Sequence, residues 1–319
     1  MLSDMTECGY VILPRMIHAT TNRTAVYFGV LGRVLLLLVL LLPLTLLPLT
    51  SSAEATIPGD LKSVQDPELQ KALNQLVNAQ GWGGQVADQK MAIALVLLED
   101  TGYRLAMLNG HHMVYAASLP KIAVLFAAMV ASQEGDIEID DVLEQDLHDM
   151  IRVSCNPCAT RVMERVGRER LLDILQRPEY EFYDDDLYGG MWVGKDYAGA
   201  AAHSRDPIRG LSHGANPYQV ARIYYHLYRG TLLDEKHTAM MKDMLSRPGI
   251  SHKFVQGLSS QTDLKLWRKS GTWKDFHSDS VLVQSPQGNY ILVGLIEGVN
   301  GDRQLEVLAR EVHQLIKNL

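Results

Sequence analysis

The sequence predicts an α+β fold in which strands from both ends of the chain form one antiparallel sheet, flanked by helices and carrying a helical lobe. Segments with strand character lie at 92–98 and 104–108, and again at 267–296. The middle of the chain, from residue 120 to about residue 175, is largely helical in pattern. Because these strands lie on both sides of a long helical stretch, we expect them to form one antiparallel sheet from non-contiguous segments.

The first elements follow from hydrophobic periodicity. Residues 66–79 place Leu69, Leu73 and Leu76 on one face, which predicts an amphipathic helix. Residues 92–98 and 104–108 are apolar runs on either side of a turn at 99–102, which predicts a hairpin.

The later elements follow in the same way. Residues 217–229 predict another amphipathic helix, and residues 280–284 and 290–296 predict strands. Residues 303–319 predict a closing helix. Its inward face is formed by Leu305, Leu308, Val312 and Ile316.

The N-terminal region has the pattern of a secretory signal peptide. Basic residues up to Arg33 precede a leucine-rich run at 34–49, and Ala53-Glu54-Ala55 follows as a small-residue cleavage site. We predict cleavage after Ala55, which leaves residues 56–319 as the mature domain, secreted or periplasmic. An uncleaved anchor through residues 28–50 stays open, because about 17 apolar residues are just enough to span a bilayer.

Composition excludes several partners. The formal net charge is -7 and no basic stripe is present, which argues against nucleic acid as a partner. Cys155 and Cys158 are the only cysteines after the predicted leader, and no histidine stands at ligand spacing from them. We therefore predict no metal and no cofactor, and we expect a monomer.

The first chemical motif is Ser118-Leu119-Pro120-Lys121, directly before an apolar helical run. A serine hydroxyl becomes a good nucleophile when a neighbouring base takes its proton, and a lysine whose pKa is lowered can do so. Residues at i and i+3 share a helix face, so Lys121 can reach back to Ser118. The alternative is that Ser118 only caps the helix and Lys121 is solvated.

The second motif is Ser154-Cys155-Asn156, which is followed by Pro157. The residue before a proline avoids the helical region, so we expect a loop in which Ser154 and Asn156 point into one cleft. The alternative is an Asn-Pro turn before a helix that begins near Cys158.

The third motif is Lys269-Ser270-Gly271-Thr272, within the C-terminal strand region. Gly271 in a strand would allow close backbone approach to a ligand, and a strand edge can pair with a peptide-like substrate. The alternative is an exposed lysine beside a strand glycine.

In this order, the three motifs resemble the S-x-x-K, S-D-N and K-T-G motifs of class A β-lactamases and penicillin-binding proteins. The resemblance covers residues 69–319 and implies a β-lactamase/transpeptidase-like fold. It implies that Ser118 is the nucleophile, that Lys121 is its base and that Ser154 relays a proton to the leaving amine.

The resemblance also assigns the substrate-binding residues. Asn156 would hold the substrate amide and the Lys121 side chain. Lys269 and Ser270 would bind the substrate carboxylate, with Ser270 standing where the family has threonine. Gly271 would allow the close approach, and the backbone N–H of Thr272 would complete the oxyanion hole with that of Ser118.

Several features depart from the family pattern. The stretch from Ser118 to Ser154 is shorter than in class A β-lactamases, and Cys155 stands at the aspartate position of S-D-N. No E-x-x-L-N element occurs in the acidic region 181–195. A carboxylate from 184–186, or Asp196, could take the place of the glutamate of the E-x-x-L-N element. A solvated loop also explains the acidic residues of this region. Acylation is therefore predicted, whereas rapid deacylation is left open.

Two further patterns are a C-x-x-C pair and a G-x-S-x-G match. Cys155 and Cys158 form a C-x-x-C, which we interpret as a disulfide or two buried thiols rather than a redox centre, because no thioredoxin-like pattern surrounds them. Gly210-Leu211-Ser212-His213-Gly214 matches a nucleophile elbow, but the residues before Ser212 have loop character where the elbow requires a strand. His111 and His112 are expected in a polar turn.

The leading hypothesis is a secreted or periplasmic serine hydrolase that hydrolyses β-lactams or is acylated by them. One alternative is a D,D-peptidase-like or esterase-like enzyme that acts on peptidoglycan-derived peptides. Another is a catalytically silent envelope protein that binds wall fragments.

Overall fold

A computed structural model describes residues 59–197, 199 and 201–319. The predicted leader at 1–55 and the alternative tether at 28–50 lie outside the described residues. Among the helices in the described ranges, none is long and apolar enough to cross a membrane.

Five long strands build one antiparallel sheet, and five shorter strands lie near the candidate site. In chain order they are β1 (Met91–Leu98), β2 (Tyr103–Leu108), β3 (Val114–Tyr115), β4 (Tyr183–Asp184), β5 (Gly189–Gly190), β6 (Trp192–Val193), β7 (His213–Ala215), β8 (Lys265–Trp273), β9 (Phe276–Gln284) and β10 (Asn289–Glu297). The sheet order is β2-β1-β10-β9-β8, so the two ends of the folded region meet where β1 pairs with β10. The predicted α+β sheet of non-contiguous strands is confirmed.

Ten helices accompany these strands in the described ranges. They are α1 (Pro67–Ala79), α2 (Gly83–Ala87), α3 (Lys121–Gln133), α4 (Asp141–Arg152), α5 (Asn156–Val166), α6 (Arg168–Gln176), α7 (Pro217–Arg229), α8 (Glu235–Leu245), α9 (Phe254–Gly257) and α10 (Gly301–Lys317). The predicted helices at 66–79, 217–229 and 303–319 correspond to α1, α7 and α10, with ends that differ by no more than two residues.

The interior strand β1 explains why the sheet has helices on both faces. All eight of its residues are buried. Successive side chains of a strand point to opposite faces, so a strand covered on both sides is apolar throughout. Ile93 and Leu95 pack in one core with residues of α1 and α10, whereas Ala94 and Val96 pack in a second core with residues of α3 and α7.

The helical lobe is built around α3, whose residues from Lys121 to Ala131 are all buried. The predicted helical stretch from 120 to 175 is four helices rather than one. Asp140 caps α4 with its side chain, and Gly167, at φ 92°, separates α5 from α6. Both residues are ordinary helix-boundary signals, so the breaks have a local chemical cause.

Between α6 and α7 the described residues form only short strands, and we call this stretch the crossing segment. The strands β3, β7 and β6 form a small antiparallel sheet, and β4 and β5 form a short hairpin. Strands of two or three residues are too short to show periodicity in a sequence. This crossing segment, residues 177–216, forms one wall of the candidate site.

Candidate active site

Ser118 lies in the turn between β3 and α3, one turn before the lysine of its motif. Ala117 adopts a left-handed conformation, with φ 52°. The turn is tied to neighbouring strands, since Ala116 N–H donates to His213 O at 2.9 Å and Ser278 Oγ donates to Ala116 O at 2.8 Å. Ser118 is half-buried and lines a cleft of about 490 Å³. These contacts fix the serine at the mouth of the site.

Lys121 is the first residue of α3 and is completely buried. Its Nζ donates to Ser154 O at 2.7 Å, to Asn156 Oδ1 at 2.7 Å and to Ser154 Oγ at 3.3 Å. Burial disfavours the charged amine and lowers the pKa of Lys121 to about 7. Within the described residues no hydrogen bond joins Lys121 Nζ to the Ser118 hydroxyl; such bonds often tighten only when substrate is bound.

Lys121 is contacted by Ser154, in the loop before α5, and by Asn156, the first residue of α5. The prediction that both residues lie in a non-helical loop is therefore wrong for Asn156. Ser154 has φ 60°, which turns the chain sharply before Asn156 begins α5. Both residues therefore contact Lys121 from positions i and i+2. The predicted helix start near Cys158 is two residues late, because Pro157 is accommodated in the first turn, where its missing N–H costs nothing.

Lys269 enters the site from the edge strand β8. Its Nζ donates to Ser154 Oγ at 3.0 Å and to Ser270 O at 2.6 Å. Burial, and then the charge of Lys121, holds the pKa of Lys269 well below its usual value. The Ser154 hydroxyl thus lies between two buried amines, where a hydroxyl can accept one hydrogen bond and pass on another.

Gly271 allows a close backbone approach to the serine turn, whereas its predicted close approach to a ligand stays a prediction. A Cβ placed on Gly271 would lie 2.3 Å from Ala116 O and 2.6 Å from Ser118 N. Only glycine therefore lets β8 run against the serine turn. Thr272, the next residue, lines the cleft together with Ser118.

A third buried lysine, which the sequence analysis did not identify, supports this strand. Lys253 Nζ donates to Gly271 O at 2.5 Å, to Thr272 Oγ1 at 2.7 Å and to Ser278 O at 3.1 Å. Burial lowers the pKa of Lys253 to about 8. Its contacts hold the end of β8 in place beside the cleft.

The crossing segment contributes residues that the sequence analysis missed. The Tyr197 ring lies 4.5 Å from Lys121 Nζ, and the Tyr197 hydroxyl is buried with no hydrogen-bond partner among the described atoms. Burial raises the pKa of Tyr197 well above its usual value. His213 packs on the Tyr197 ring, with centroids 4.3 Å apart, and burial lowers the pKa of His213 to about 4.

The acidic region divides into two parts. Asp184 accepts backbone N–H bonds from Asp186 and Leu187 in the β4–β5 hairpin, and residues 184–186 do not line the cleft. Asp196 does line it, but Arg168 binds both Asp196 oxygens at 2.7 Å. Hydrogen bonds from Arg168 lower the pKa of Asp196. Asp196 is the only carboxylate among the described residues that line this cleft, and it is already paired.

Cys155 and Cys158 form a disulfide. One of the two interpretations offered by the sequence, a disulfide rather than two buried thiols, is therefore the one observed. Cys155 lies between the two residues that bind Lys121 and caps α5, with Cys158 N–H donating to Cys155 Sγ at 3.2 Å. No group of three or more His, Cys, Asp or Glu suited to a metal occurs within the described ranges.

The remaining sequence patterns are the elbow-like motif around Ser212 and the two histidines His111 and His112. Ser212 follows a loop and precedes β7, so it lacks the preceding strand of a nucleophile elbow, although it lines the cleft beside His213. His111 stacks on Tyr188, with centroids 4.4 Å apart, and His112 contacts Arg209. Neither of these two histidines lines the cleft.

The sheet, the helical lobe, the cleft lined by Ser118 and the buried Lys121 one turn after it define a β-lactamase-like serine hydrolase. The chain belongs to the Beta-lactamase enzyme family, which matches it over residues 68–319. None of the curated proteins compared with the chain matches it.

Solved structures show the same fold at low sequence identity. The structure of PBP-A is 17% identical and covers 82% of this chain and 100% of its own, with a TM-score of 0.60. A β-lactamase from Sphaerobacter thermophilus is 15% identical and covers 78% of this chain and 98% of its own, also with a TM-score of 0.60.

A third similar structure is a variant of the class A β-lactamase of the last common ancestor of Gram-negative bacteria. It is 18% identical and covers 78% of this chain and 98% of its own, with a TM-score of 0.60. The fold is therefore the β-lactamase/transpeptidase-like fold, as the motifs implied.

Proposed function

We propose that this protein is a penicillin-recognising hydrolase that forms an acyl-enzyme through Ser118. The observation that carries the proposal is the environment of Lys121, which is buried one turn from Ser118 and whose pKa is about 7. A general base works best when its pKa lies near the operating pH. Neutral Lys121 would take the Ser118 proton as Ser118 Oγ attacks the substrate carbonyl.

The proton then has a short route to the leaving amine. Ser154 Oγ lies 3.3 Å from Lys121 Nζ and 3.0 Å from Lys269 Nζ. Ser154 can therefore accept the proton from Lys121 and donate to the departing nitrogen as the acyl bond breaks. Asn156 keeps Lys121 aligned through its amide oxygen, and its amide N–H₂ can donate to a substrate carbonyl.

Residues of strand β8 would bind the carboxylate of the substrate. Lys269 is buried and cationic when protonated, and a carboxylate beside Lys269 and the Ser270 hydroxyl would restore favourable charge pairing. A Cβ on Gly271 would lie 2.6 Å from Ser118 N, which supports the proposal that the backbone N–H of Thr272, the next residue, acts together with that of Ser118. Two such donors aimed at one oxygen form an oxyanion hole, which stabilises the tetrahedral intermediate.

Slow deacylation follows from the pairing of Asp196 with Arg168. A water that attacks the acyl-enzyme needs a base, and a carboxylate held by two guanidinium hydrogen bonds is a poor one. This observation favours, as the second candidate function, a D,D-peptidase-like or esterase-like enzyme on peptidoglycan-derived peptides. A PBP-A variant is described as an acyl-enzyme complex with penicillin G, a precedent for a stable adduct on this fold.

The test uses a chromogenic cephalosporin, with colour and intact protein mass followed together. Rapid colour without adduct would support a true β-lactamase. A stable adduct that Ser118→Ala abolishes would support a penicillin-binding peptidase. Labelling that persists in Ser118→Ala would overturn the assignment, and absence of both signals would favour an enzyme of another acyl substrate or a silent binder of wall fragments.

The localisation proposal is separate. We propose that residues 1–55 are a secretory leader and that residues 56–319 are the mature hydrolase domain, present in the periplasm or outside the cell. N-terminal sequencing of the exported protein should begin at Thr56. A membrane-bound product that retains residues 28–50 would instead support the anchor.

A further inference from the structure

The disulfide is placed to control the loop that holds the catalytic lysine. Among the described residues, Lys121 Nζ makes three hydrogen bonds, and all three go to Ser154 or Asn156, the residues on either side of Cys155. Ser154 Oγ also receives the Lys269 hydrogen bond at 3.0 Å. Any movement of Cys155 therefore moves the acceptors of Lys121 and the hydroxyl proposed to relay the proton.

The loop needs such a restraint. Ser154 is a non-glycine residue in the left-handed region, at φ 60°, a conformation that persists only when the surroundings enforce it. Asn156 and Pro157 are exposed, so little packing holds the first turn of α5 from outside. The link from Cys155 to buried Cys158 ties the loop to the side of α5 that packs in the core.

The surroundings also favour opening of the bond by a thiol reagent. Cys155 is half-exposed, whereas Cys158 is buried, so attack at Cys155 Sγ is the accessible route. Cys158 lies in the first turn of α5, and Arg161 Nη2 is 3.6 Å from Cys158 Sγ. The guanidinium of Arg161 is paired with the Asp146 carboxylate, so the main stabilisation of a Cys158 thiolate comes from the helix N-terminus, which would make Cys158 the better leaving group.

We propose that the Cys155–Cys158 disulfide positions Ser154 and Asn156 on Lys121, so that acylation of Ser118 depends on the thiol–disulfide state of this pair. The inference rests on the proposed acyl-enzyme function. Cys155 and Cys158 are positioning residues, because they act on the reaction through Ser154 and Asn156. The cysteine at the position of the family's S-D-N aspartate is thus part of the machinery that aligns the base.

The chemistry of the switch is ordinary thiol–disulfide exchange with a dithiol reductant. One reductant thiolate attacks Cys155 Sγ, the Sγ–Sγ bond breaks, and the electron pair leaves on Cys158, which takes up a proton. The second reductant thiolate then attacks the mixed disulfide and releases the Cys155 thiol. The protein gains two thiols as the dithiol is oxidised to its own disulfide.

The experiment compares the oxidised protein, the dithiothreitol-reduced protein and the variant Cys155→Ser/Cys158→Ala. Serine keeps an oxygen that can cap α5, so the variant removes the covalent link while the N-cap is retained. Reduction is verified by mass and by thiol titration, and the fold by circular dichroism. Acylation by a fluorescent penicillin is measured as a second-order rate from pH 5 to pH 9.

We expect the reduced protein and the variant to acylate at least about tenfold more slowly than the oxidised protein, because small displacements of catalytic groups are costly. The midpoint of their pH–rate curves should move away from about 7, since the acceptors and the burial of Lys121 both change. The variant should be indifferent to dithiothreitol. Equal rates and equal midpoints in both redox states would overturn the proposal.

A second readout separates this proposal from the acyl-enzyme function itself. The Lys121 amine is titrated by NMR in protein that carries isotope-labelled lysine, in both redox states and without any substrate. If penicillin fails to label even the oxidised protein, the acyl-enzyme function fails. A redox-dependent Lys121 titration would then still support the positioning role, and an identical titration would refute it.

Discussion

The titration of Lys121 should set the pH dependence of acylation. Its pKa is lowered to about 7 by burial, so at pH 6 about one molecule in eleven has a neutral amine, against about ten in eleven at pH 8. If neutral Lys121 is the base, the second-order acylation rate should rise about tenfold between these two pH values. The assay is stopped-flow labelling with a fluorescent penicillin at constant ionic strength.

His213 is distinguished from Lys121 by the same measurement. The pKa of His213 is lowered to about 4 by burial, so His213 does not titrate between pH 6 and pH 8. Lys121→Arg keeps the positive charge but removes the base, since a guanidinium stays protonated. This variant should lose about two to four orders of magnitude in rate and the rise with pH.

Lys236→Arg serves as the matched control for that variant, because Lys236 is exposed on α8. It should retain both the rate and the pH profile of the wild type. A flat profile in the wild type, or a rise that survives in Lys121→Arg, would refute Lys121 as the base.

Two further predictions concern the strand side of the cleft. Gly271→Ala should lower the acylation rate by about a hundredfold, because the added Cβ would lie 2.3 Å from Ala116 O; Gly102→Ala, where no atom lies within 4 Å, should keep the wild-type rate. Asp279→Asn breaks a buried ion pair with Arg268. The side chain of Asp279 is 0% exposed and that of Arg268 is 3% exposed. The substitution should lower the free energy of unfolding by about 3 kcal/mol in urea titrations, whereas Arg303→Gln, at an exposed pair, should cost less than about 1 kcal/mol.

The parts of the site that sequence could predict are those with local geometry. The helix that follows Ser118 and the strand that carries Gly271 were predicted from local patterns, although Ser118 lies in the turn before α3 and does not share a helix face with Lys121. That Asn156 would bind Lys121 followed from the family resemblance, and the structure places the two side chains in hydrogen-bond contact.

The residues that were missed depend on contacts between distant segments. Tyr197 reaches Lys121 from a crossing segment with almost no periodicity, so no pattern pointed to it. Lys253 lies in a polar stretch where a lysine is ordinarily exposed, and its burial depends on carbonyl groups of β8 and β9 that converge on it. Hydrogen-bond partners that are remote in sequence leave no local signal.

The pairing of β1 with β10 has a consequence for biosynthesis. About 200 residues separate the start of β1 from that of β10, so the nascent chain carries an entirely apolar strand, paired on one edge with β2, long before its second partner exists. Such delayed non-local pairing makes folding slow and exposes chains to aggregation. Ser118 and Lys121 are likewise synthesised well before Lys269. A ribosome-bound or truncated product that ends before β8 would therefore carry Ser118 and Lys121 without the strand that completes the cleft.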